Sequence, residues 1–254
     1  MGEFDLIARH FARRAGPESV EVPLGIGDDC ALLAPARGTL AVSTDMLVAG
    51  RHFFEDVAPA ALGHKALAVN LSDLAAMGAA PRAFTLALAL PDVDEAWLAG
   101  FADGLFALAD LHGIVLAGGD TTRGPLNLCI TVLGDVPPGQ ALRRDRARAG
   151  DDIWISGSLG AAAFAVRRRL AGQPLPSGHP AIERLERPAP RVALGLALRG
   201  IAHAAIDLSD GLAGDLGHVL ARSRLGAAVD VDRLPIHSCL DGLSRRWASS
   251  TRAR

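Results

Sequence analysis

Five segments of this 254-residue chain share one form: a small or apolar run, then Gly, Ser or Thr, then aspartate. They are Gly25-Ile-Gly-Asp-Asp29, Ser43-Thr-Asp45, Asn70-Leu-Ser-Asp73, Gly118-Gly-Asp-Thr-Thr122 and Asp207-Leu-Ser-Asp-Gly211. Glycine lets a backbone approach a phosphate closely. Ser and Thr offer hydroxyls to a metal or a phosphate oxygen. Aspartate supplies the hard anionic oxygen that magnesium takes together with substrate phosphates. Several magnesium ions held this way would bridge and neutralise a nucleoside triphosphate without a P-loop lysine. Each segment also has a plainer reading. Asp28 and Asp29 suit a polar turn, and Ser43-Thr44-Asp45 at the end of a strand suits a helix cap. Gly118-Gly119-Asp120 suits a loop, and Ser209 or Asp210 suits the start of the next helix.

Asp73 resists the plain reading most. On a helix, positions 62, 66, 69, 73 and 77 form one stripe, and the other four are Leu62, Ala66, Val69 and Met77. Asp73 therefore falls on or beside a face that should be buried. A lone buried carboxylate is costly unless it is paired or bound to a cation. An arginine partner is one solution; a metal is the one that also serves the other aspartates.

Composition removes several alternatives. There are 26 basic and 28 acidic residues, a net charge of −2, so charge does not indicate a surface for nucleic acid. With 50% hydrophobic and 21% charged residues the chain is not a disordered one. Lys65 is its only lysine, and no GxxxxGK[ST] occurs, which excludes a P-loop. Cys30, Cys129 and Cys239 are scattered and form no CxxC pair. A disulfide framework is not expected, a reducing cytoplasm is, and Cys30 reads as a small buried residue. The start Met1-Gly-Glu-Phe-Asp lacks a signal-peptide pattern. Apolar stretches are broken at Asp73, Arg82 and Asp92, short of the roughly 18 residues a membrane span needs.

The periodicities predict a mixed fold. A helix is expected from Glu3 to Arg14 and a strand from Thr39 to Ser43, and Pro59 and Gly78 bracket a helix of about five turns. Ala83–Leu90 alternates as a strand, and Asp94 caps a helix carrying Trp97, Leu98, Phe101, Leu105 and Leu108. Ile114–Ala117 and Asn127–Leu133 read as strands. Pro137-Pro138-Gly139 is the best linker, dividing the chain into 1–137 and 138–254. Beyond it, Asp152–Ser156 and Ala204–Leu208 are expected strands, and Ala161–Leu170, Pro190–Gly200 and Gly211–Arg222 expected helices. Without strict βαβ regularity the class is α+β. His52, between Gly50-Arg51 and Phe53-Phe54, could orient an anionic substrate. Arg144 lies in a run with Arg143, Arg146 and Arg148, one of which could grip a phosphate bidentately.

Taken in order, Gly25-Ile-Gly-Asp-Asp-Cys-Ala, Ser43-Thr-Asp-Met-Leu-Val, Ala68-Val-Asn-Leu-Ser-Asp-Leu-Ala-Ala-Met-Gly-Ala, Gly118-Gly-Asp-Thr-Thr-Arg-Gly and Ile206-Asp-Leu-Ser-Asp-Gly-Leu resemble the thiamine-monophosphate kinase family. The opening Gly-Glu-Phe-Asp-Leu-Ile is similar too, and the resemblance extends to about Pro235. That family sits in the aminoimidazole ribonucleotide synthetase-like superfamily. The resemblance implies a two-domain α+β fold. Its N-terminal α/β domain would pair with a second copy through a β-barrel-like interface, making a homodimer, and its C-terminal α+β domain would close over the nucleotide. It implies transfer of the γ-phosphoryl group of ATP to thiamine monophosphate, giving thiamine diphosphate, with several Mg2+. Carried over motif by motif, it implies a metal shell of Asp28, Ser43, Thr44, Asp45, Asp73, Asp120, Asp207 and Asp210. Asp28, Asp45, Asp73, Asp120 and Asp207 would be the catalytic acids. Gly119, Asp120, Arg144 and Ser209 would contact ATP, and His52 would contact the substrate.

The chain departs from the family after Pro235. A Gly-Gly-Glu/Asp-Asp-Tyr-Glu type motif and a late aromatic residue, both expected on the thiamine side, are not in the sequence. The Ser/Arg-rich ending up to Arg254 has no counterpart in the pattern, so an incomplete C-terminal domain is expected. Two other readings stand beside the kinase: a related ATP-dependent synthetase with another substrate, and an impaired homologue that binds Mg-ATP without turnover.

Overall fold

Within Thr39–Val48, positions 41, 43, 45 and 47 are half-buried or buried, while 40, 42, 44 and 46 are exposed. That period of two makes them one strand of a sheet covered on one face. In a computed structural model that describes residues 3–12, 19–27 and 30–241, this strand lies at one edge of a four-stranded sheet. In chain order the elements are α1 (Glu3–Leu6), a π-helical stretch (Ile7–Ala12), β1 (Thr39–Val48), α2 (Pro59–Ala76), β2 (Ala80–Leu90), α3 (Glu95–His112), β3 (Val115–Arg123), β4 (Asn127–Val136), α4 (Ala161–Leu170), α5 (Pro180–Glu186), α6 (Val192–Ala197) and α7 (Leu212–Ser223). The sheet order is β1-β4-β2-β3, antiparallel except between β2 and β3.

Helix α2 begins on Pro59, where a missing N–H costs nothing, and ends before Gly78 at φ +63°. The Asp94 carboxylate accepts from the N–H groups of Ala96 (2.9 Å) and Trp97 (3.0 Å), which starts α3. Gly113, left-handed at φ +61°, stops it. Both helices share one apolar cluster with the sheet, where Leu62, Leu71, Phe101, Phe84 and Ile130 are almost fully enclosed. A Cβ at Gly63 would lie 2.0 Å from the Phe101 carbonyl oxygen, and one at Gly104 1.8 Å from that of Ala60. The two helices therefore meet backbone to backbone.

Two strands run longer than their sequence pattern. β1 continues through Thr44 and Asp45 to Val48, because β4 offers partners along its whole length. Gly118-Gly119-Asp120 is strand, not loop, since β3 keeps pairing with β2 past a register shift at Phe84/Thr85. At the other end of the scale, the expected helix from Glu3 to Arg14 is broken into α1 and the π-helical stretch, and residues 13–18 lie outside the described ones.

By packing, the chain separates into two units. The first comprises residues 1–142 and 186–202, so α6 belongs with the sheet and its helices. There the Arg199 guanidinium donates to the carbonyls of Gly78 (2.5 Å) and Asp135 (3.2 Å). The second comprises 143–185 and 203–254, with a small cluster around Ala161, Ala165 and Ala181. We retain 1–137 and 138–254 as the proposed division along the sequence. The expected strands Asp152–Ser156 and Ala204–Leu208 do not form. Among the described residues of this unit the only strand pairing is the isolated bridge Leu159–Ile236. Alternation alone does not make a strand; a ladder of partners does, and Trp154 stands 88% exposed. No described helix is long and apolar enough to cross a membrane.

Candidate functional site

The covered face of β1 and the flank of α2 meet at a polar corner. Ser43 and Asp45, two residues apart, share the face that buries Leu47. The Ser43 hydroxyl donates to Oδ2 of Asp73. The backbone N–H of Asp45 donates to Oδ1 of Asn70 at 3.2 Å, and the Asn70 amide donates to the Ala66 carbonyl at 2.9 Å. Asn70 is 1% exposed and so fixes the outer edge of β1 to the helix. Asp73 is half-buried at the margin of the apolar stripe. The hydroxyl of Ser43 meets it, a partner the helical periodicity could not name.

The strand period separates the rest of the set. Thr44 lies on the opposite, open face, where its Oγ1 is 2.9 Å from that of Thr131. Asp120 pairs in register with Ala87, exposed, and also lies on the open face. Between them and the corner stands the sheet itself. Gly119, next to Asp120, has φ +154°, and a Cβ there would sit 1.8 Å from the Leu86 carbonyl oxygen. Glycine is thus required at this position by the sheet alone, whatever ligand approaches it. Asp28 lies outside the described residues.

His52 is held by a turn after β1. Its N–H and that of Arg51 both donate to the Val48 carbonyl (2.9 and 3.1 Å), and the Val48 N–H donates to His52 Nδ1 at 3.0 Å. An accepting Nδ1 puts the ring hydrogen on Nε2 of an exposed imidazole, ready to donate to an anion. The lone lysine finds its task here: Lys65 Nζ donates to the His52 carbonyl at 3.0 Å. Burial holds the Lys65 ammonium below the ordinary lysine range, opposed by the Glu186 charge. The sequence marks Lys65 only as the lone lysine; nothing in its helical spacing points to His52.

In the second unit Arg144 is exposed, and its carbonyl accepts from the Ser223 hydroxyl at 2.8 Å. Arg143 is engaged differently: it grips Asp145 bidentately at 2.8 and 2.6 Å, which holds that carboxyl below the usual carboxylate range. Asp207 is half-buried, while Ser209 and Asp210 are exposed. Neither Ser209 nor Asp210 caps α7. The cap is Gly211, with no side chain to offer, and the acceptor comes from Asp215 inside the helix. Cys30, expected to be buried, is exposed.

Among the described residues no three His, Cys, Asp or Glu side chains are gathered as a protein-built metal cage would be. Magnesium seldom needs one, because it keeps waters and takes one or two carboxylates plus substrate phosphates. The hydroxyl and carboxylate oxygens of Ser43, Asp45 and Asp73 fit that mode of binding.

The comparisons agree with the order of motifs. Residues 27–136 match the AIR synthase related protein N-terminal domain, and 148–244 the C-terminal domain. The chain is 54% identical to a thiamine-monophosphate kinase of Salmonella typhimurium over 258 residues, covering 98% of this chain and 79% of that one. A crystal structure of thiamine-monophosphate kinase from Stenotrophomonas maltophilia K279a superposes with a TM-score of 0.87 at 53% identity, over 96% of this chain and 79% of that one. The structure of AaThiL complexed with AMPPCP and TMP matches at a TM-score of 0.76 and 27% identity, over 99% and 77% of the two chains. The fold is the two-domain α+β fold of AIR synthase related proteins, and the chain belongs to the thiamine-monophosphate kinase family.

Proposed function

We propose that this chain catalyses the ATP-dependent phosphorylation of thiamine monophosphate to thiamine diphosphate, with Mg2+ as the metal. The observation that carries the reading is the meeting of Ser43 and Asp73 at the β1–α2 corner, in a chain 54% identical to a named kinase of this type. The acceptor is a phosphate monoester whose second pKa is about 6, so near neutrality it is mostly a dianion. A nucleophile already deprotonated needs no general base. The obstacle is repulsion between two polyanions, and bound magnesium supplies the positive charge that offsets it.

Within this reading Ser43, Asp45 and Asp73 hold one cation at the β1–α2 corner, Thr44 and Asp120 serve a separate cation from the open face of the sheet, and Asp28 is a further ligand. In the second unit, taken by itself, Asp207 and Asp210 are read as metal ligands. Gly119 presents backbone to the nucleotide, and Arg144 and Ser209 bind its phosphates. His52 donates from Nε2 to an anionic oxygen of the acceptor, and Lys65 steadies the turn that carries it. His52→Ala is expected to raise KM for thiamine monophosphate about tenfold, the worth of one hydrogen bond to a charged group, with less effect on KM for ATP. Steady-state kinetics with each substrate varied in turn reads this out.

The same reading includes a homodimer. The open face of β1 exposes Leu40, Val42 and Met46, at 42%, 58% and 56%, an apolar row that a second sheet would cover. Sedimentation should give a dimer mass, and Val42→Asp should return it to the monomer. The deciding assay for the activity is ADP release with magnesium and thiamine monophosphate, with thiamine as control. Turnover with the monophosphate alone is the expected result. ATP binding without turnover would favour the impaired homologue.

A further inference from the structure

Asp215 is a carboxylate 3% exposed in the second unit, and no function proposed above employs it. It lies in the first turn of α7 and reaches back over the preceding segment. Its Oδ2 accepts from three successive backbone N–H groups: Ser209 at 3.0 Å, Asp210 at 3.2 Å and Gly211 at 3.1 Å. Three consecutive N–H groups converging on one point form a nest, the concavity that elsewhere takes a phosphate or another anion. Here the anion is the chain's own. Burying a carboxylate is costly, and three charge-assisted hydrogen bonds are what offset it. Gly211 at φ +109° supplies the backbone turn that closes the nest.

The exchange has a consequence for the side chains. With the amides of residues 209–211 turned inward to Asp215, the side chains of Ser209 and Asp210 stand exposed on the outside of the same turn. We propose that Asp215 is a positioning residue, which fixes the Asp207–Gly211 segment so that Ser209 and Asp210 are presented to Mg-ATP. This rests on the role given to those two residues under the proposed function. Asp215 touches neither nucleotide nor metal; it acts through the loop.

The test combines amide exchange with binding on the full chain. In the unaltered protein the amides of residues 209–211 should exchange at least about a hundredfold more slowly than in an unstructured peptide. Exchange at the free rate would overturn the proposal, and this measurement needs no variant to fold. Asp215→Asn keeps the shape and removes the charge. It should weaken Mg-ATP binding, measured by calorimetry without acceptor, and raise KM for ATP, each about tenfold, while kcat at saturation and KM for thiamine monophosphate change less than about twofold. A role confined to stability would lower Tm without this split. Ser209→Ala separates the two layers of argument. If it leaves Mg-ATP affinity unchanged, the role of the segment fails. If it weakens affinity and Asp215→Asn does not, the role of Asp215 fails.

Discussion

Asp73→Asn should lower kcat by about a hundredfold or more, the scale of removing one preorganised charge-stabilising group from a transfer site. The change is isosteric. Asparagine can still accept from the Ser43 hydroxyl through its amide oxygen, so the corner between β1 and α2 keeps its contact. Asp73 is only half-buried, and its substitution leaves the buried Leu71, Leu74 and Ala75 of α2 untouched. The fold should therefore lose little, within about 1 kcal/mol. What is lost is negative charge where the proposed cation sits. Turnover measured against magnesium concentration, beside a thermal melt, checks both halves. Near-normal kcat at saturating magnesium would remove Asp73 from the metal set.

Gly119→Ala should cost roughly 3 kcal/mol or more of stability and abolish most activity, through backbone overlap rather than lost contacts. The added Cβ would lie 1.8 Å from the Leu86 oxygen, 2.7 Å from its carbon and 2.9 Å from its nitrogen. None of these is the end of a flexible side chain, so β3 must pull away from β2 and carry Asp120 with it. Gly118→Ala is the matched control, because nothing lies within 4 Å of a Cβ there and its φ is not positive. It should fall within about 1 kcal/mol of the parent. Chemical denaturation of the pair gives the comparison, and equal losses in both would refute the steric argument.

What could be read from the sequence follows from where local signals are strong. Pro59 and Gly78 bracket α2, and Asp94 caps α3, because proline, glycine and a capping carboxylate act within a turn of where they stand. Motif order points to Ser43 and helical periodicity to Asp73, each separately. Their contact spans 30 residues of chain and belongs to packing, which no local window holds. The length of β1 was hidden for a related reason. Thr44 and Asp45 resemble a strand end, yet β4 supplies partners beyond them, and once they are mid-strand they must face opposite ways. Gly118 and Gly119 looked like a loop because glycine is a poor strand former, while the sheet demands it for close approach. Asp152–Ser156 and Ala204–Leu208 failed in the other direction, with strand-like sequence and no ladder. Asp215 left one faint trace, an acid four residues after a glycine at the start of a helix. That spacing lets a first-turn carboxylate serve the amides before it.

The contact of α2 with α3 through Gly63 and Gly104 bears on the corner that Asp73 occupies. Most helix pairs are spaced by side chains, a layer that repacks when one residue is exchanged for another. Here the spacer is peptide against peptide, and its thickness is set by van der Waals contact between two backbones of fixed dimensions. The helix carrying Asn70 and Asp73 is thereby gauged against its neighbour by a rule that drift among apolar residues cannot rewrite. Sequence divergence can reshape much of this core while the carboxylate's standoff from Ser43 stays as it was.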